Sequence, residues 1–503
     1  SRKHARCPEG WQHITASPAR AILGGSPAAQ TAMRPDQPDP QRRALLRLLF
    51  LSGGMLSTGP LLSACQSLST RDGATDAPRP MGELPLPRGP LADVGALFDS
   101  GVDGIFLPEG FSVRAVARHL SNPVTGAFDP LGLAGYNWHE APDGGACFAT
   151  DDGGWIYVSN SEHRQRGGVG ALRFAPDGRI AAAYRILDHT RRNCAGGATP
   201  WQTWLSCEEV PDGQVYECEP TGTPETARVL PALGRFAHEA AAVDMPTRSV
   251  FLTEDTPDGR LYRFVADAED VTDSPEGPRL HMRSGRLQVL NIQGFADDEY
   301  VSDDLRLRKL HATQWVDAIA PEQPQARLRT ERRDARKRVP GTVFRGGEGM
   351  WIYTLPPELR NVPPGGTVPT RAVLFFATKG DNRVHALDVD NGLIETIFDN
   401  RLIDPVFDDV DNVVVSPAGD VVVAEDGEAM RLMVVVPNAP AKTLLQVRLG
   451  SDSELTGPAF SPDGSRLYFS SQRGPNLPLG KNGSGVTYEV TLPASIQSAF
   501  RAA

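Results

Sequence analysis

The sequence predicts an all-β fold, a β-propeller with four-stranded blades around a central channel. Short β-branched or aromatic runs recur, among them Gly154 to Asn160, Ala171 to Phe174, Ser249 to Thr253, Gly259 to Phe264, Val373 to Thr378, Asp420 to Ala424 and Arg466 to Ser470. Asp-Gly, Pro-Asp-Gly and Pro-Ala-Gly turns separate them, as hairpins require. Helical periodicity is confined to Asp303 to Ile319. The pattern persists over roughly four hundred residues, and propeller blades are units of about 40–50 residues. A long β-sandwich is the alternative, disfavoured because strand pairs recur without a break into two domains.

The chain has 503 residues, 50 of them Gly and 43 Pro, and a formal net charge of −11 at pH 7. That charge argues against general nucleic-acid binding, which needs a basic stripe. It leaves an anionic small substrate open, because bound cations invert a local potential. Residues 1–65 read as an upstream extension and export signal, with translation expected to start at Met33. Arg42-Arg43 suits a twin-arginine signal, and the apolar run after it suits a secretory h-region. Arg47 interrupts that run, which disfavours a retained membrane span. Leu62-Ser63-Ala64-Cys65 resembles a bacterial lipobox, so Cys65 would be lipidated and tether the protein to a membrane. The expected location is therefore exported: periplasmic or membrane-anchored, with an extracellular one also open. Residues 66–103, rich in Pro and small polar residues, read as a linker, and residues 104–503 as the propeller, expected to be a monomer.

In an oxidising compartment disulfides persist. Cys207 and Cys218 flank the turn Pro211-Asp212-Gly213-Gln214 at equal distance, so a regular hairpin would set them opposite one another and permit a bridge. Cys194 would then stay free, with pairing to Cys147 as its alternative. The stretch Arg327 to Arg338 reads as a solvated insertion between strands, with an anion- or membrane-contacting loop as the other reading.

Several β-runs share a second property. Ile156 to Ser161 ends on Glu162, Trp204 to Cys207 on Glu208-Glu209, Val250 to Thr253 on Glu254-Asp255, and Val421 to Ala424 on Glu425-Asp426. His238-Glu239 and Gly346-Gly347-Glu348-Gly349 add acids beside apolar runs. A single such acid is ordinary surface. In a propeller, however, equivalent blade positions point at one axis, and converging carboxylates repel unless cations sit among them. Such oxygen-rich sites suit calcium; a thiolate such as Cys194 added to them suggests iron or zinc as well.

The segment Asn193-Cys194-Ala195-Gly196-Gly197-Ala198-Thr199-Pro200-Trp201-Gln202-Thr203-Trp204-Leu205-Ser206-Cys207-Glu208-Glu209 resembles the signature of PhoX-type alkaline phosphatases. Weaker matches are Gly234 to Glu239, Leu252 to Thr256, Gly347-Glu348-Gly349, Asp411-Asn412-Val413, Ala424 to Gly427, Leu455 to Pro458 and Phe460 to Gly464. The resemblance implies an exported propeller that hydrolyses phosphate monoesters with iron and calcium as cofactors. It implies Cys194 as an iron ligand, and Glu239 and Glu348 as holding the iron–calcium cluster. One member each of Glu208/Glu209, Glu254/Asp255 and Glu425/Asp426 would bind calcium, since neighbours on a strand face opposite ways. The family commonly has a phosphate-binding arginine two residues before the glutamate matching Glu348. Here that position is Gly346, with Arg345 displaced by one; Lys379, Arg383 and the arginine-rich loop are the candidate substitutes. No Ser-His-Asp constellation is evident, and His238, His139 and His163 read as structural or supporting residues. Two other readings compete: a non-catalytic, calcium-stabilised binding module, and a calcium-dependent propeller lactonase, which Asp411-Asn412 would suit.

Overall fold

The computed structural model describes residues 83–133, 135–274, 277–300, 309–400, 409–437, 439–448, 453–474 and 485–503. The export signal, Cys65 and the first part of the linker lie outside them. Among the described residues no helix is long and apolar enough to cross a membrane.

The turn chemistry sets the strand spacing. At Ala175-Pro176-Asp177-Gly178, Gly178 N–H donates to Ala175 O at 2.8 Å and takes φ +81°, while Arg179 N–H donates to the Asp177 carboxylate. Such turns join strands into six antiparallel, four-stranded units. Blade 1 is Pro142–Ala149, Trp155–Ser161, Gly167–Phe174 and Ile180–Thr190. Blade 2 is Asn193–Ala198, Trp204–Glu208, Val215–Cys218 and Arg228–Val229. Blade 3 is His238–Asp244, Ser249–Glu254, Leu261–Ala266 and Gly285–Ile292; blade 4 is Gly347–Thr354, Ala372–Thr378, Arg383–Asp388 and Leu393–Asp399. Blade 5 is Val410–Val415, Val421–Glu425, Arg431–Val435 and Lys442–Val447. Blade 6 takes Leu455–Phe460, Arg466–Ser471 and Val486–Thr491 from late in the chain and Ser112–Arg118 from early in it. The six first strands pack side by side in a closed ring, blade 1 against blade 6. The fold is thus the expected propeller.

Blades adhere through aromatic and aliphatic faces. Tyr157 of blade 1 stacks on Tyr468 of blade 6 at 4.8 Å, and Trp155 Nε1–H donates to the Tyr468 hydroxyl. Each such fully buried side chain contributes about 1.5–3 kcal/mol.

Three expectations change. The stretch from Leu84 is packed on the propeller rather than free as a linker. Leu84, Leu91 and Ala92 are buried, Glu395 accepts the Glu83 and Leu84 N–H groups, and Leu97–Asp99 pairs with Ile105–Pro108, which extends blade 5. Apolar side chains among the prolines gain burial there. The helix expected over Asp303 to Ile319 is absent from its described part. His311–Asp317 is instead a strand bridging the outer strands of blades 3 and 4. A helix, Gln325–Asp334, overlaps the arginine-rich stretch, with an Arg327–Glu331 pair one turn apart. The stretch is the expected insertion between strands and is largely exposed, but it is helical and some of its arginines are drawn into ion pairs. Arg329 is buried against Glu254, and Arg333 pairs with Asp258 and Asp298. Arg338 likewise pairs with Asp297, so several of these charges have partners within the protein. Finally, Cys147, Cys194, Cys207 and Cys218 are all free. The hairpin register sets Cys207 against Val215 and Cys218 against Trp204, so the turn is asymmetric and the thiols are out of step.

Candidate metal centre

Strand register gives each blade the same construction at the channel mouth. The first two strands pair at Pro142↔Ser161, Asn193↔Glu208, His238↔Glu254, Gly347↔Thr378, Val410↔Glu425 and Leu455↔Ser471. Beyond this pair the register slips in a bulge, in blade 6 one residue later than in the others. Bulges re-aim side chains and occur at barrel rims and active sites. The residue after the paired one on the first strand is Asp143, Cys194, Glu239, Glu348, Asp411 or Thr456. The residue just past the second strand is Glu162, Glu209, Asp255, Lys379, Asp426 or Gln472. Small residues let the first strands approach this closely. A Cβ on Gly349 would lie 2.4 Å from Asn412 Cα, and one on Gly457, at φ +58°, 2.4 Å from Asp143 O.

These positions converge across blades. Potential ligand atoms lie within 4.8 Å of one another in four groups: Cys194, Glu209 and Glu239; Asp143, Glu162 and Glu454; Glu239, Glu348 and Asp411; Asp411, Asp426 and Glu454. Glu239, Asp411 and Glu454 are each shared by two groups, so the four form one continuous series along the ring of strand ends. The acids repel. Burial first, then Asp411 and Glu162, pushes Asp143 up to about 8; burial, then Asp255 and Glu162, does the same to Glu209. Glu239 and Glu348 are driven well above the carboxylate range by burial and by the surrounding acids. Burial and the neighbouring carboxylates also raise the Cys194 thiol. Lys379 opposes this: burial alone would lower its ammonium, but Asp411, Glu348 and Asp426 hold it well above its usual value. Glu348 Oε1 is buried without a hydrogen-bond partner, with Lys379 Nζ 3.7 Å away. A buried, partnerless carboxylate oxygen among mutually repelling acids fits a cation.

Each acidic pair divides the same way. The first member ends its strand and is tied down: Glu208 accepts the Arg191 and Gln214 N–H groups, Glu254 accepts a bidentate contact from Arg329 (3.0 and 2.8 Å), and Glu425 one from Arg431 (2.9 and 2.6 Å). The second member, Glu209, Asp255 or Asp426, turns to the ring. Arg345 does not reach it. This arginine is exposed, its guanidinium sits 3.7 Å over the Tyr300 ring, and among the described residues no carboxylate of the ring pairs with it. Arg383 is buried against Asp399 and Asp381 instead.

Asp143, Glu454, Arg192 and Arg473 were not anticipated. Asp143 precedes Gly144-Gly145 as Cys194 precedes Ala195-Gly196-Gly197, so an acid or thiol leading into a small-residue bulge is the signal that reveals it. Arg192 lies 3.1 Å from Glu209 and 3.6 Å from Glu162, and Arg473 lies 2.9 Å from Glu454. With Arg164, His163 and Gln472 they line a cleft beside the ring, between blades 1, 2 and 6. Gln472 Nε2 donates to Asp143 and Glu162 at 2.8 and 2.9 Å. His238 is fully buried, and His139 nearly so, lining a neighbouring pocket with Glu140 and His163. Burial lowers His238 to about 3 and His139 well below the usual value, so both stay neutral.

Residues 149–359 match the family Alkaline phosphatase PhoX. The resemblance carried by the Cys194–Glu209 segment, which lies inside that range, is borne out. PhoX from Pseudomonas fluorescens, solved in complex with vanadate, a transition state analogue, is 16% identical with a TM-score of 0.58. The similarity covers 81% of this chain and 98% of that one. A gluconolactonase from Xanthomonas campestris is 11% identical with a TM-score of 0.38, over 82% of this chain and 99% of that one. No curated protein matches the sequence. The family match supports a phosphatase-like function, and the solved PhoX supports the fold.

Proposed function

We propose that this chain hydrolyses phosphate monoesters with iron and calcium held in the ring. The observation that carries the reading is the group Cys194, Glu209 and Glu239, one thiol and two carboxylates within 4.8 Å at the channel mouth. A soft sulfur among hard oxygens suits iron, with Cys194 as its thiolate ligand. The all-oxygen group Asp143, Glu162 and Glu454 suits calcium. Glu348 beside Glu239, and Asp255 beside Glu209, would add carboxylate charge at the edge of the iron group. Glu208, Glu254 and Glu425 hold strand ends and are not ligands in this reading. When bound, the cations supply neutralisation of phosphoryl charge and activation of water.

The chain's own part is to bind and orient. Arg192 and Arg473, each about a third exposed and facing the cleft, would grip the phosphate oxygens that the missing arginine at 346 leaves unheld. Their carboxylate partners hold the guanidinium groups at the rim. His238 and His139, buried and neutral, take no part in proton transfer. The substrate is a small phosphate ester, and export of a monomer, tethered or free, remains part of the proposal.

One observation favours a calcium-stabilised binding module without catalysis: Arg345 is stacked on Tyr300, and Gly346 offers no side chain. Hydrolysis of p-nitrophenyl phosphate by protein exported in its folded state separates the two. The expected result is turnover that is lost on chelation and in Cys194→Ala, together with iron and calcium in the purified protein. Calcium without iron, and no turnover, would sink the phosphatase reading.

A further inference from the structure

The twelve equivalent ring positions, two per blade, carry one fixed positive charge. It is Lys379, in blade 4, at the position filled by Glu162, Glu209, Asp255, Asp426 and Gln472 in the other blades. Its ammonium lies 2.8 Å from Asp411 Oδ2, 3.0 Å from Asp426 Oδ2 and 3.7 Å from Glu348 Oε1. An ammonium has three donors and no acceptor, so it binds carboxylates as a small cation does. Two of the four potential ligand groups contain Asp411, and each also contains a second carboxylate beside Lys379, Asp426 at 3.0 Å or Glu348 at 3.7 Å. The backbone holds the lysine there: its N–H donates to Gly346 O at 2.9 Å. A Cβ at 346 would point into the same space, 3.1 Å from Asp255 Oδ1 and 3.6 Å from Glu348 Oε1.

We propose that Lys379 is a built-in cation that takes the place of a metal ion on the blade 4–5 side of the ring. Metals are thereby confined to the Cys194–Glu209–Glu239 and Asp143–Glu162–Glu454 groups. A divalent ion bound by Asp411 and Asp426 would have to share both carboxylates with an ammonium already in contact with them, and like charges at that distance repel. The proposal rests on the reading that the ring holds metal, but its test counts ions rather than turnover. Gly346 and Lys379 then belong together: the loop has no side chain at 346, and the ring draws its fixed charge from the neighbouring strand end.

The experiment measures calcium per chain by equilibrium dialysis and elemental analysis of wild type, Lys379→Met, Lys379→Glu and Lys379→Arg. The methionine and glutamate variants are expected to bind one calcium more than wild type; the arginine variant, which keeps the charge, is expected to match it. In chelator Lys379→Met should melt at a lower temperature than wild type, and calcium should restore it. Folded methionine and glutamate variants with the wild-type count, or a lower one, would overturn the proposal. Terbium soaked into wild-type crystals gives a reading that needs no variant: an anomalous peak between Asp411 and Asp426 overturns it, and peaks only at the other two groups support it. A wild type that binds no metal would refute the reading of the ring as a metal centre, whereas a Lys379→Glu variant that then gained a calcium would still support the role of the lysine.

Discussion

Exchanging Glu254 for glutamine and Asp255 for asparagine removes one charge at adjacent positions, yet the two variants are expected to fail in opposite ways. Glu254 is fully buried, and Arg329, its bidentate partner, is 5% exposed at the side chain. Tyr262 also donates to Glu254, and Arg329 reaches Thr256 and Asp258 besides. Glu254→Gln leaves the guanidinium buried with only the partly exposed Asp258 to balance it. Removing one partner of a buried pair costs about 3–5 kcal/mol, and Asp258 puts this case near the lower bound. Asp255 is different: burial and the surrounding acids raise its carboxyl. Its neutralisation in metal-free protein relieves repulsion and is expected to leave stability unchanged or slightly raised. Calcium reverses the order. A ligand at about a hundred times its Kd adds about 2.7 kcal/mol, a gain expected for wild type and Glu254→Gln but smaller for Asp255→Asn. Urea unfolding in chelator and in calcium reads both quantities. A Glu254→Gln variant as stable as wild type in chelator, or an Asp255→Asn variant with the full calcium gain, would refute the division of roles within the pair.

Three other outcomes follow from the same geometry. Arg192→Ala and Arg473→Ala are each expected to raise KM for a phosphate monoester about tenfold, the loss of roughly 1.4 kcal/mol of charge-assisted binding; steady-state kinetics that left KM unchanged would remove them from the phosphate site. Gly457→Ala puts a Cβ against the Asp143 carbonyl at a left-handed φ and should cost about 1–3 kcal/mol, read as a lower urea midpoint. His385 is buried between Thr378 and Thr396, and burial with the Arg383 charge lowers it to about 3. Its folded value is below its unfolded one, so its neutral form supports the fold fully above about pH 6.5 and loses that support as pH falls toward 3. Relative to His385→Asn, wild type should lose about 1.4 kcal/mol per pH unit across that window.

Much of the site was legible because a propeller repeats itself. The acids at the ends of β-runs, and Cys194 before its glycine pair, are local features, and the turn chemistry around them forces short antiparallel strands. Asp143 was equally local but sat in Pro142-Asp143-Gly144-Gly145, which has the composition of a turn and is instead the start of a bulged strand. The disulfide expected between Cys207 and Cys218 required a symmetric hairpin, and a slip of register is invisible in the residues on either side of a turn.

By itself the sequence determined that the chain builds blades and that several strands end in acid. Only the tertiary structure decided which acids meet. Alternation along a strand shows that one of Glu254 and Asp255 faces inward, but choosing between them needs the partner that holds the other, and Arg329 arrives from a helix some seventy residues on. Lys379 carries no motif; it belongs to the ring because its place after the second strand of blade 4 equals that of Glu209 in blade 2. Convergence on an axis is a property of six blades closing into a ring, and no stretch of chain shorter than that closure contains it.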